Sequence, residues 1–107
     1  MPEYRKLVRD KIPEIIKQSG DTFRTKVLRS EEYISELQKK AYEELDEVCA
    51  SDTNEETLEE LADLLEVVHA LTTANGFRIE QLEEKRVEKA EKRGGFSERI
   101  FLIDVAE

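Results

Sequence analysis

Tryptophan is absent from this 107-residue chain, and there is one cysteine, one histidine, two prolines and four glycines. A single thiol, Cys49, excludes an internal disulfide, and one thiol with one imidazole cannot make a zinc site within a chain. Any metal held here is ligated by oxygen. No apolar run approaches the length needed to span a bilayer, and no secretory leader pattern opens the chain. The expectation is a cytoplasmic protein without a membrane partner. Repeats, low-complexity stretches and proline- or serine-rich linkers are also missing, so residues 1–107 are read as a single domain.

What the chain has in abundance is charge, which makes up 40% of its residues against 38% apolar, with a net charge of -9. Broad attraction to a nucleic-acid polymer is disfavoured at that charge. The apolar share is low for a compact monomer of this size. Because the apolar residues keep helical period, the chain is expected to complete its core by pairing with copies of itself rather than to be disordered.

"DKIPEIIKQSG" reads as a short helix, with Asp10 as its N-cap, Pro13 in the first turn and Gly20 as its stop. "DTFRTKVL" alternates and is β-branched, so residues 22–28 are expected to be extended. Ser30 is a candidate N-cap for a long helix ending near Ala50. After the turn "SDTN", Thr53 and Glu56 form a capping box for a second long helix that ends at Gly76. A further helix, from about Arg78 to Arg93, stops at Gly94-Gly95, and the apolar tail "FSERIFLIDVAE" is expected to be a strand or a packing arm. The fold class is all-α, a helical bundle completed by homo-oligomerisation.

The acids carry the functional argument. "EELDE", Glu43 to Glu47, is followed twelve residues later by "ELAD", Glu60 to Asp63. At about 100° per residue, Leu58, Leu61, Ala62, Leu64, Leu65, Val68 and Leu71 form an apolar stripe. Glu56, Glu60 and Asp63 border it with Val67, whereas Glu59 and Glu66 turn toward solvent. On the preceding helix, Ile34, Leu37, Ala41, Leu45 and Val48 make the stripe. Glu44 lies within roughly 20° of Leu37, with Glu47 just beyond and Glu43 and Asp46 turned away. Antiparallel packing through these stripes would bring Glu44, Glu47, Glu60 and Asp63 into one half-buried cavity. Carboxylates gathered there raise one another's pKa unless a cation neutralises them, and hard oxygen donors suit Mg²⁺ or Mn²⁺. The plain alternative is that the acids flank the stripes and are simply solvated.

The last helix turns Lys85, Arg86, Lys89 and Arg93 to the side of Ile79, Leu82 and Ala90, with Lys92 nearby. Such cations either snorkel and pair with Glu83, Glu84 and Glu88, or reach a polyphosphate. Lys6, Arg9 and Lys11 in "KLVRDK" could join the same anion site. His69 falls on an apolar arc and reads as a core histidine, and Cys49 as a small inert side chain near a helix end.

Glu43-Glu44-x-x-Glu47 and Glu60-x-x-Asp63 together resemble the EExxE…ExxD pattern of the all-α nucleoside triphosphate pyrophosphohydrolase superfamily. That superfamily includes MazG-like proteins, phosphoribosyl-ATP pyrophosphohydrolases and dimeric dUTPases. "KLVRDKIPEII" and "KRGGF" resemble a small MazG-like subgroup, described as phosphoribosyl-ATP pyrophosphohydrolase-like, so the resemblance spans nearly the whole chain. It implies a homodimer or homotetramer that uses Mg²⁺ to cleave the α–β anhydride of a nucleotide substrate, in a house-cleaning role. Glu44, Glu47, Glu60 and Asp63 would be the metal ligands, Glu43 a less certain one, and Glu47 the base toward water. Lys6, Arg9, Lys11, Lys85, Lys89 and Arg93 are the candidate phosphate contacts. Two other readings stand beside it: a non-catalytic helical interaction module of the same fold, and an enzyme specific for phosphoribosyl-ATP. The residue that would stack on a base is not evident; Phe77, Phe96 and Tyr33 are the candidates.

Overall fold

The computed structural model describes residues 4–106, and among them the regular structure is helical throughout. The elements are α1 (Ile12–Gln18), α2 (Ser30–Ala50), α3 (Asn54–Ala74) and α4 (Ile79–Arg93). Residues 22–28 and 96–106 belong to no helix and no strand.

Local chemistry explains most of the boundaries. At the start of α3, Thr53 accepts a hydrogen bond from the Glu56 amide at 3.1 Å through its Oγ1. The Glu56 carboxylate accepts from the Asp52 amide at 3.0 Å, one residue earlier than a strict capping box. Replacing Thr53 with alanine is expected to remove about 1 kcal/mol of stability, measured as a lower urea midpoint with an unchanged slope. At the other end, Gly76 takes φ 89° and its amide reaches the Thr73 carbonyl, while the Phe77 amide reaches back to Thr72. This double bond to the last turn needs a left-handed residue, which glycine supplies without a Cβ penalty. α1 ends the same way at Gly20 (φ 85°).

Two caps differ from the sequence reading. α1 starts one residue later than Asp10 would place it, with Lys11 at the N-cap and no side-chain bond there. Pro13 sits in the first turn as expected and fixes the start by itself. For α2 the N-cap is Arg29, in extended backbone, and Ser30 is already the first helical residue.

The three-residue turn between α2 and α3 folds them into an antiparallel hairpin, the main packing of the molecule. The turn is closed by side chains: the Ser51 hydroxyl meets the Val48 carbonyl at 2.8 Å and the Thr57 hydroxyl at 2.6 Å. Among the described residues, Leu37 on α2 and Val67 on α3 are the two buried apolar ones. α4 packs more lightly on α3, and α1 rests on none of the other helices among the described residues.

The contact line on α3 is one edge of the stripe that the wheel picks out, Leu64 and Leu71, together with Glu60 and Val67 from its border. Val67 is buried and Glu60, Asp63, Leu64 and Leu71 are part-covered, whereas Leu58, Leu61 and Leu65 are exposed. Positions 60, 64, 67 and 71 form one line at spacings of four, three and four. The line 58, 61, 65 and 68 lies about 100° round from it. α3 carries two apolar lines, and α2 takes the one that contains the acid.

Candidate metal centre

The seam of the hairpin brings Glu44, Glu60 and Asp63 together. One carboxylate oxygen from each lies within 4.8 Å of the others, and all three residues are part-buried. Glu44 comes from α2 and the other two from successive turns of α3, so the group exists only while the hairpin is closed.

Each acid has a different electrostatic setting. Glu44 has a side chain only 13% exposed and faces the Lys40 ammonium at 3.6 Å, one turn earlier on the same helix. Lys40 also reaches Glu43 at 3.4 Å, and its own side chain is largely covered. Asp63 is bridged at 2.6 Å by the Arg9 guanidinium, which comes from the segment before α1. Glu60 has its pKa raised, first by the loss of hydration at the seam and then by the neighbouring charges of Asp63, Glu47, Glu44 and Glu59. Every one of those causes acts in the same direction.

Of the ligand set read from the sequence, three residues form the group and Glu47 stands outside it. Glu47 is exposed, one turn beyond Glu44, although its charge still reaches Glu60. Glu43 is occupied by Lys40. Among the predicted cations, Arg9 reaches the acids. Lys6 lies over the Tyr4 ring, 5.9 Å from its centroid, and Lys11 is the exposed N-cap of α1. Lys85 pairs with Glu88 at 3.3 Å and lines a groove of about 590 Å³ with Val68, Leu71, Phe77 and Leu82. Leu71 is eleven residues past Glu60, about 16 Å along the helix axis, so this groove is a separate place. Lys89 and Arg93 flank a second groove with Arg86 and Phe96. The in-helix pairs Arg86–Glu83 and Lys92–Glu88 take up much of the remaining charge on α4.

Lys40 was not among the residues singled out by sequence. Its signal is the i, i+4 step to Glu44 beside the apolar stripe, the weaker of the two orders for such a pair. What makes it matter is burial, which spacing alone does not reveal.

The donor set fits a hard divalent cation. It offers carboxylate oxygens only, and they converge from two rigid helices. Mg²⁺ commonly binds through one or two carboxylates plus substrate phosphates and retained water. Glu44, Glu60 and Asp63 are the residues that could hold it. A cation there would offset the neighbouring negative charges that, after the loss of hydration, raise the pKa of Glu60.

No protein-family model matches the chain, and no solved structure matches it. A protein of Mycolicibacterium smegmatis, described as uncharacterized, is 45% identical over 53 residues. That stretch is half of this chain and 54% of the relative's length, so the chain spans about half of the curated relative it matches. The relative's description names no activity.

Proposed function

We propose that this chain is a Mg²⁺-dependent nucleotide pyrophosphohydrolase of the MazG-like kind, cleaving the α–β anhydride of a nucleoside triphosphate. The observation that carries the reading is the convergence of Glu44, Glu60 and Asp63 oxygens within 4.8 Å across a helix seam. Its fit to the resemblance in "EELDE", "ELAD", "KLVRDK" and "KRGGF" adds support.

In this reading Glu44, Glu60 and Asp63 hold the metal, which supplies charge neutralisation for the polyphosphate when bound. Glu47 takes the proton of the attacking water. The water oxygen bonds to the α-phosphorus, the bond from that phosphorus to the bridging oxygen breaks, and pyrophosphate leaves with its electron pair. Arg9 leaves Asp63 for the phosphate oxygens, where its planar fork binds more specifically than an ammonium does. The chemistry asks for no nucleophilic side chain, and the exposed Cys49 has no part in it.

The test is pyrophosphate release from a panel of nucleoside triphosphates with Mg²⁺ and with Mn²⁺, beside Glu44→Gln. Release by the native chain, reduced at least about 100-fold in the variant, is the expected result. Undiminished release by Glu44→Gln would refute the ligand assignment. No release from any nucleotide by a folded native chain would favour the non-catalytic helical module.

A further inference from the structure

The N-terminal arm, residues 4–29, meets the hairpin at the carboxylate group itself. Among the described residues α1 packs on none of the other helices. The position of the arm therefore depends on side-chain ties rather than on helix packing. One such tie is the 2.6 Å bond from the Arg9 guanidinium to Oδ1 of Asp63, which closes 54 residues of chain. Asp63 is also one of the three acids whose oxygens lie within 4.8 Å of one another. A single carboxylate thus anchors the arm and belongs to the ligand set.

The cation beside Glu44 stands in a different position. Lys40 faces Glu44 at 3.6 Å from one turn back on the same helix. Were it to let go, nothing would move except its own side chain. Arg9 belongs to a separate arm, and its release frees backbone. The two pairs also differ in strength. Lys40 and Glu44 have side chains 19% and 13% exposed, whereas Arg9 and Asp63 are 58% and 40% exposed. An ion pair so open to water is weak. Two positive charges brought to the carboxylate group repel a guanidinium seated on one of its members.

We propose that Arg9 is a latch, which ties the arm to Asp63 in the metal-free chain and lets go when a divalent cation takes that carboxylate. The inference rests on the reading of Glu44, Glu60 and Asp63 as a Mg²⁺ centre and adds a control on it. Such coupling is reciprocal: the cation loosens the arm by the factor by which the arm weakens the cation. Because the pair is exposed, the factor is about two- to fivefold. An order of events follows. Arg9 becomes available to phosphate oxygens only after Asp63 has been taken, so the cation binds before Arg9 can engage a nucleotide.

The probe is Mn²⁺, titrated into the full chain, with its free fraction read by electron paramagnetic resonance. Arg9→Gln is expected to bind it about two- to fivefold more tightly than the native chain. Lys17→Gln, which removes an exposed charge from α1 instead, should bind it as the native chain does. The second readout is limited digestion with trypsin. Mn²⁺ should speed cleavage after Lys11 and Lys17 in the arm. It should slow cleavage after Lys39 and Lys40 in the hairpin, because a ligand of the folded state protects the fold. A cation that only stabilised the protein would slow both. In Arg9→Gln the arm should be cut at the faster rate with or without Mn²⁺.

Equal or weaker Mn²⁺ binding by Arg9→Gln would overturn the latch and leave the metal centre standing. Slower cleavage of the arm in the presence of Mn²⁺ would do the same. Tightening of equal size in Lys17→Gln would assign the effect to net charge and overturn the latch too. Mn²⁺ bound by neither the native chain nor Arg9→Gln would overturn the metal centre, and the latch with it.

Discussion

Glu60→Gln is expected to abolish stabilisation by Mg²⁺ while making the metal-free protein more stable than the native one. In the metal-free chain, Glu60 is placed where lost hydration and four neighbouring acids oppose its charge. The amide keeps the shape of the side chain and removes that opposition. With metal present the order reverses. At a free Mg²⁺ concentration one hundred times its dissociation constant, a ligand that binds only the folded state adds about 2.7 kcal/mol. For a domain of this size, that is a rise in Tm of roughly 10–20 °C. The variant should show no such rise. A Mg²⁺-induced shift of native size in Glu60→Gln would remove Glu60 from the ligand set.

Acid should narrow the difference between the two metal-free proteins. The Glu60 carboxyl is held above its ordinary range in the folded state, so the folded chain binds that proton more readily than the unfolded one. Its contribution is fully present below the unfolded pKa and is lost as pH rises through the folded value. Lowering pH from neutrality therefore stabilises native Glu60 relative to glutamine. Glu83 and Glu88 act the other way: Arg86 holds the first below its usual range, and Lys92 and Lys85 hold the second. Their stabilisation fades on acidification in both proteins and cancels from the comparison. Tm measured from neutral pH down through the carboxylate range gives the result, and a gap that widens with acid would contradict it.

Leu37→Ala is expected to unfold much of the hairpin. Leu37 is 3% exposed, more thoroughly covered than Val67 at 8%. A buried Leu→Ala change costs about 2–5 kcal/mol, a large share of the total stability of a domain this small. The carboxylate group falls with it, because Glu44 lies two turns along the same line of α2. Urea unfolding followed by helical circular dichroism measures the loss. The exposed Leu102→Ala serves as the control, since Leu102 is 73% exposed and its truncation should lie within about 0.5 kcal/mol of the native chain. A Leu37→Ala loss as small as the control's would show that the seam does not run through Leu37.

Much of this was legible in the residues. Thr53, Glu56, Gly76 and Gly94 mark helix ends because capping is local chemistry, and the structure places helices between them. Glu44, Glu60 and Asp63 could be set beside apolar stripes from helical period alone. What period could not say is which of two adjacent stripes on α3 meets α2. Leu58, Leu61 and Leu65 outweigh Leu64 and Val67 in hydrophobicity, yet the leucines stay outside. The choice belongs to pairwise packing, which no single helix encodes. Glu47 shows the same limit: a step of about 60° past Glu44 round the helix carries it out of the carboxylate group. Arg9 reaches Asp63 over 54 residues of chain, a closure that sequence could offer only as a possibility.

The acids in the seam also fix how the hairpin slides. A line of small and aliphatic side chains such as Leu37, Ala41, Val48, Leu64 and Val67 would pack nearly as well if α3 moved by a turn. Glu44 and Glu60 forbid that movement. Displaced by one turn, Glu60 would be carried away from Glu44 and from the shared cation position, while Glu44 would keep Lys40, its partner on the same helix, and a part-buried charge without a partner is disfavoured. Register and ligand geometry are thus one specification in this chain. Exchanging the two glutamates for leucines would yield a tighter pair of helices with more than one way to align.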